Sequence, residues 1–128
     1  MKKYYIAIAL LAIMSACGNN NDKKEDKTVA ATVSTDNSSN PDYQKGLALI
    51  AGSDCLTCHK VSEKLTGPAY RDVANKYDNT DANVSLLASK ILKGGTGVWG
   101  SIPMTPHATL SEADAKQMVK YILLLRNK

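Results

Sequence analysis

Apolar residues recur at helical spacing in three parts of the chain beyond residue 40. The first stripe follows Pro41 and predicts a helix from Asp42 onward, with one face made by Tyr43, Leu47, Ile50 and Ala51. The second stripe ends at a pair of glycines, Gly94 and Gly95, and consists of Val84, Leu87, Ala88 and Ile91. The third begins after Ser111, a good N-cap, and consists of Ala115, Met118, Val119, Ile122 and Leu125.

The remaining segments add one short element. Residues 68–77 form a short helical candidate, and residues 94–109 are expected to be a loop. No segment alternates convincingly between apolar and polar residues, so no strand is predicted. We therefore expect an all-α fold.

The N-terminus has the features of an export signal. Two lysines are followed by an apolar run of 11 residues, Tyr4–Met14, which is too short for a spanning helix of about 20 residues. Met14–Gly18 resembles the bacterial lipobox, in which the cysteine is acylated and becomes the first residue of the mature protein. We expect residues 1–16 to be cleaved as a signal peptide and Cys17 to carry lipid; the alternative is an ordinary cleavage site that merely precedes a cysteine.

The segment that follows is strongly polar. Asn, Asp, Lys, Ser, Thr and Ala make up nearly all of the stretch after Cys17, with too little apolar surface to offset the entropy of ordering. Residues 17–40 are therefore predicted to be a disordered, lipid-anchored linker. The folded domain is expected to be residues 41–128.

Charge and composition narrow the function classes. The formal net charge is only +4 and the basic residues are not clustered, which disfavours nucleic-acid binding. The chain has one Trp, six Tyr and no Phe. Few large side chains are thus available to fill a core, and a bound apolar group would help to fill it.

The motif Cys55-Leu56-Thr57-Cys58-His59 is the strongest chemical signal. Two thiols on one turn can add to the two vinyl groups of a porphyrin, and the adjacent imidazole can bind its iron. A zinc site would need further ligands, of which His107 is the strongest candidate. A thioredoxin-like dithiol would need a βαβ context that the pattern lacks. Covalent haem attachment through Cys55 and Cys58 is the favoured interpretation, with His59 on the iron.

A second axial ligand would have to come from Met104, Met118, His107 or a lysine. Met118 falls on the apolar stripe of the last helix, where a core role is expected. Met104 stands between Pro103 and Pro106, which stiffen the segment and remove backbone donors. Met104 is therefore the favoured ligand, and thioether ligation would raise the reduction potential.

From residue 42 to 128 the chain resembles the small bacterial class I cytochromes c. The resemblance is carried by the haem motif, by Leu65-Thr66-Gly67-Pro68-Ala69-Tyr70, and by Gly97-Val98-Trp99-Gly100-Ser101-Ile102-Pro103-Met104. It implies four or so helices wrapped round one covalent haem c, with the first and last helices crossing near Gly46 and Tyr121. It also implies that the Pro68 carbonyl accepts the Nδ1 proton of His59 and that Trp99 and Lys90 hold the haem propionates. His107 stands where close relatives tend to have Asn near the methionine sulfur, and its role stays open.

These expectations favour a single-electron carrier over an enzyme, because His59 and Met104 together leave no open iron position. A haem enzyme or gas sensor and a fixed subunit of a larger complex are the alternatives. We expect an exported monomer anchored through Cys17 on the periplasmic side of a bacterial membrane or on the outer cell surface. The expected partners are respiratory redox proteins, such as a quinol-oxidising complex and a terminal oxidase or reductase.

Overall fold

The computed structural model describes residues 37–127. Within that range the α-helices are α1 (Pro41–Ala51), α2 (Tyr70–Lys76), α3 (Asp81–Lys93) and α4 (Glu112–Leu123). A short antiparallel hairpin, β1 (Gly95–Gly97) and β2 (Gly100–Met104), separates α3 from α4, and 3-10 turns occupy Asn37–Ser39 and Asp54–Thr57. The predicted all-α class is confirmed, since the helices form the core and the hairpin is an exposed addition to it.

The predicted linker ends against the folded domain. The predicted signal peptide, Cys17 and linker residues up to 36 lie outside the described residues. The side-chain amide of Asn37 donates to the Leu124 carbonyl at 2.9 Å, and Asn40 caps α1. Residues 37–40, which the sequence assigned to the linker, therefore contact the domain.

Side-chain caps mark the starts of α1 and α4. The Asn40 side-chain oxygen accepts from the Asp42 amide at 2.8 Å, so α1 begins at Pro41, one residue earlier than predicted. Proline suits that first position because an amide there would lack a helical partner in any case. At α4 the Ser111 hydroxyl accepts from the Asp114 amide at 3.0 Å, which confirms the predicted cap.

Helix α4 is the central element of the core. It packs against α1, α2 and α3, and its buried residues belong to two apolar clusters. The first cluster consists of Ile50, Tyr70, Val73, Met118, Tyr121 and Ile122, and the second of Val84, Ala88, Ala115, Val119 and Leu123. Full burial of an aliphatic side chain such as Ile50 contributes about 1.5–3 kcal/mol to folding.

The crossing of α1 and α4 depends on a glycine. A Cβ atom at Gly46 would overlap the Cβ of Tyr121 and the backbone carbonyl of Gln117. Gly46 therefore lets the two helix backbones approach closely, at the crossing point that the family resemblance implied. The adjacent ring of Tyr43 packs on Tyr121 with centroids 4.9 Å apart.

The hairpin corrects one expectation. Residues 94–109 were expected to be a loop, whereas Gly95 pairs with Met104 and Gly97 with Gly100. The strands are short, rich in Gly, Ser and Pro, and exposed along nearly their whole length. Neither β propensity nor apolar alternation could therefore reveal them.

Candidate functional site

The two cysteines of the predicted haem motif lie on one tight turn. Helix α1 ends at Ala51, with Gly52 as its C-cap, and the chain then enters the 3-10 turn of residues 54–57. The His59 amide donates to the Cys55 carbonyl at 3.0 Å, which folds the motif back on itself. Both thiols are free, and Cys58 is exposed while Cys55 is half-buried. Burial, and next the neighbouring Asp54 carboxylate, raise the pKa of the Cys55 thiol.

The imidazole of His59 is held by backbone on one side. Its Nδ1 lies 2.8 Å from the Pro68 carbonyl oxygen. A carbonyl can only accept, so Nδ1 carries the proton and Nε2 presents a lone pair. The same segment packs tightly on the ring, because a Cβ at Gly67 would overlap the imidazole. Gly67 is further fixed by its amide, which donates to the Cys58 carbonyl at 2.8 Å.

A tyrosine to which the sequence assigned no role in the site stacks on the His59 ring. The ring of Tyr70 stacks on the imidazole with centroids 5.2 Å apart and planes 14° from parallel. Tyr70 is only 4% exposed, and burial, followed by its proximity to Cys55, raises its pKa well above the usual range. It therefore stays a neutral phenol. Its place at the start of α2 follows from the family motif, but no spacing rule indicates the stacking.

Met104 lies at the end of β2 and is partly buried. The backbone at Gly94 passes close to Met104, and it can do so because Gly94 has a φ of 72°, in the left-handed region that favours glycine. A side chain at Gly94 would also strike the Met104 carbonyl and come within 3.3 Å of the Pro106 ring. By contrast, Met118 is 1% exposed and belongs to the core cluster that contains Tyr70. Met118 is therefore a core residue, as its position in the stripe predicted.

His107, whose role the sequence left open, makes a side-chain hydrogen bond with a residue far away in the sequence. Its Nε2 lies 3.1 Å from the Asp54 carboxylate oxygen, and its side chain is 22% exposed. Its Nδ1 is buried and has no hydrogen-bond partner among the described residues. The contact joins the loop after Met104 to the residue just before Cys55. No sequence signal points to it, because the two residues are far apart along the chain.

The predicted propionate residues lie at the hairpin. Lys90 extends along its base, with Nζ 3.5 Å from the point where a Cβ of Gly95 would be. Trp99 stands at its turn and is 37% exposed. The cation that reaches the Trp99 ring is Lys76, whose Nζ lies 5.8 Å from the ring centroid. Lys76 thus lies beside Trp99, one of the predicted propionate residues, a contact that the sequence did not indicate.

The chemistry of these residues fits haem. Free thiols, an imidazole with Nε2 available and a thioether are the donors that a covalent haem requires. The segments that supply them also expose apolar side chains suited to a flat apolar ring; these are Leu56, Leu65, Val98, Trp99 and Ile102. Within residues 37–127, no three His, Cys, Asp or Glu side chains are grouped so as to hold a metal ion, as the zinc alternative would need. No helix in that range has the length and apolar character to cross a membrane.

Comparison with known proteins identifies the family of this chain. The family model for cytochrome c matches residues 43–126. Cytochrome c-552 of Nitrosomonas europaea is 46% identical over 74 residues, covering 58% of this chain and 72% of the relative. Cytochrome c-552 of Hydrogenobacter thermophilus is 49% identical over 72 residues, covering 56% of this chain and 72% of the relative.

The fold also matches an experimental structure. The crystal structure of wild-type Nitrosomonas europaea cytochrome c552 aligns with a TM-score of 0.57 at 46% identity, covering 62% of this chain and 98% of that one. The family match, the relatives and the fold agree on the class of protein. The chain therefore belongs to the cytochrome c family, as a small class I c-type cytochrome that carries electrons on one covalently bound haem c.

Proposed function

We propose that Cys55 and Cys58 attach the haem, that His59 and Met104 bind its iron, and that the protein transfers single electrons without catalysing a reaction of its own. The observation that carries this proposal is the 2.8 Å contact between His59 Nδ1 and the Pro68 carbonyl. This contact occupies Nδ1 and leaves Nε2 available as a ligand, on a residue that directly follows the turn with both cysteines.

Each of these residues has a defined task. Haem supplies the Fe(III)/Fe(II) couple. The Pro68 carbonyl raises the basicity of His59 and fixes its tautomer, and Tyr70 restricts rotation of the ring by stacking on it. The thioether of Met104 favours the reduced state and so raises the potential. With His59 and Met104 both bound to it, the haem would be able to exchange electrons and would have no position left for a substrate.

A redox titration followed by optical spectra tests this proposal. We expect one reversible one-electron transition and low-spin spectra in both oxidation states. Carbon monoxide should bind slowly to the reduced protein, because Met104 must leave first. Rapid binding would instead favour a haem enzyme or a gas sensor.

We propose that the protein is exported and works as a monomer at a bacterial membrane, on the periplasmic side or on the outer cell surface. The basic and apolar N-terminus and the lipobox-like Met14–Gly18 support export and acylation of Cys17. A polar linker would let the domain shuttle electrons between partners in that membrane, such as a quinol-oxidising complex and a terminal oxidase or reductase.

Cys17→Ser tests the anchor. Diacylation supplies the two chains that stable membrane attachment requires, so the variant should move from the membrane fraction to the soluble fraction. Ser15→Ala, which leaves the cysteine in place, is the matched control and should stay with the membrane. Equal membrane retention of Cys17→Ser and wild type would contradict the lipid anchor without touching the haem assignment.

A further inference from the structure

The contact between Asp54 and His107 joins the two halves of the haem site. Asp54 immediately precedes Cys55, and His107 follows Met104 by three residues. A carboxylate oxygen can only accept, so His107 donates from Nε2 over the 3.1 Å separation. A hydrogen bond to a charged group is stronger than one between neutral groups, but the Asp54 side chain is 73% exposed, which weakens this bond through solvent screening.

The backbone around His107 is anchored on the helical core. Its amide donates to the Ile91 carbonyl in α3 at 2.9 Å, and its carbonyl accepts from the Leu110 amide at 3.1 Å. His107 is therefore fixed to α3 by its main chain and to the cysteine turn by its side chain. The hairpin residues before Met104 are mostly exposed and bury little apolar surface of their own.

We propose that the Asp54–His107 hydrogen bond is a clasp that holds the loop carrying Met104 closed against the haem-attachment turn. In this role both residues are positioning residues, which act on the iron through Met104. The proposal rests on the proposed ligation by Met104. It gives His107 a task that depends on Asp54 and needs no contact of its own with the methionine sulfur.

The rate at which cyanide binds to the oxidised holoprotein tests the clasp, because cyanide enters only after Met104 has left the iron. We expect Asp54→Ala and His107→Ala to bind cyanide about threefold faster than wild type, the effect of losing one largely exposed hydrogen bond. Asp54→Asn keeps an acceptor oxygen and should stay within about twofold of wild type. The double variant Asp54→Ala/His107→Ala should be no faster than either single variant, since both remove one interaction.

Asp78→Ala is the matched control. It removes a 2.8 Å ion pair with Arg126, between two partly exposed residues that are also far apart in sequence, and it leaves the Met104 loop untouched. Its cyanide rate should equal that of wild type. Hydrogen exchange at the His107 amide gives a second readout and should accelerate in Asp54→Ala but not in Asp78→Ala.

The outcomes separate the clasp from the ligand assignment. If oxidised wild type shows the far-red sulfur-to-iron charge-transfer band, and Asp54→Ala and His107→Ala bind cyanide no faster than Asp78→Ala, the clasp is wrong and the ligand stands. Multiplied effects in the double variant would also overturn the clasp. Absence of the band in wild type would instead overturn Met104 as the ligand. Should Asp54→Ala fail to accumulate, His107→Ala measured against Asp78→Ala decides the question.

Discussion

The two sides of the haem site are built in different ways. On the His59 side, the proposed ligand, the proposed attachment cysteines and the carbonyl that accepts from the imidazole lie within residues 55–68, and the imidazole is enclosed by the Pro68 carbonyl, Gly67 and the ring of Tyr70. On the Met104 side, the proposed ligand ends an exposed two-stranded hairpin. That hairpin is joined to the rest of the domain at Gly94, which packs closely against the Met104 carbonyl, and by the hydrogen bonds that His107 makes with Ile91 and Asp54.

This difference indicates which ligand is labile. The contact between His59 and the Pro68 carbonyl joins residues only 9 positions apart, so forming it closes a short loop at a small cost in entropy. Contacts on the Met104 side span more than 50 residues between His107 and Asp54, so they form only in the complete fold. We therefore expect substitutions near His59 to affect assembly of the holoprotein, and substitutions near Met104 to affect ligation within a folded protein.

The largest effect is expected when covalent attachment is removed. Cys58→Ala, or Cys55→Ala, should yield little mature holoprotein, because haem is the largest apolar body in a domain with few aromatic residues. The haem-free chain should be largely unfolded by circular dichroism. A native-like cooperative melt of that chain would show that the helical core does not need the cofactor.

Substitution of two glycines distinguishes an effect on the His59 ligand from an effect on fold stability alone. Gly67→Ala places a methyl group in the His59 imidazole, whereas Gly46→Ala places one at the crossing of α1 and α4. Each should lower the free energy of unfolding by about 1–3 kcal/mol. Gly67→Ala should also disturb the low-spin spectrum, while Gly46→Ala should leave it unchanged. Normal spectra and potential in Gly67→Ala would show that the His59 side is less rigid than described.

The helices were largely predictable from sequence because their signals are local. The stripe ending at Gly94 and the Ser111 cap match α3 and α4, since burial of one face and a side-chain cap act within a few residues. The short candidate at 68–77 is observed as the shorter α2. Its first two positions precede the helix, since Ala69 is the extended N-cap and the Pro68 carbonyl accepts from His59 instead of from a helix amide.

The site was predictable only in part. Position in a motif indicated His59 and Pro68, and proline spacing pointed to Met104. The contacts of Lys76 with Trp99 and of Asp54 with His107 join residues with no common periodicity, so only the three-dimensional fold brings them together. The Gly- and Pro-rich hairpin escaped prediction because its strands are paired without an apolar face.

The smallest expected effect lies away from the haem. The Gln117 side chain donates to the Asp42 carboxylate at 3.1 Å and Lys120 lies 3.4 Å from it, and together they lower the Asp42 pKa below 3.8. A carboxyl whose pKa is lower in the folded state stabilises the fold above its ordinary pKa, and that contribution is lost as pH falls through the folded pKa. Asp42→Asn should therefore lower Tm by about 1–3 °C at pH 7, and the difference should shrink and vanish as the pH falls through the lowered pKa of Asp42. A pH-independent difference would assign the effect to packing.

The far-red absorption of the oxidised protein tests the central claim most directly, in wild type, Met104→Ala and Met118→Ala. We expect the sulfur-to-iron charge-transfer band in wild type and in Met118→Ala, whose methionine is buried in the core. The band should be absent in Met104→Ala, and the reduction potential should be lower than in wild type. A low-spin Met104→Ala that becomes five-coordinate or water-ligated when His107→Ala is added would identify His107 as a substitute ligand. A band that persists in Met104→Ala and disappears in Met118→Ala would contradict the assignment of the hairpin as the distal wall of the haem site.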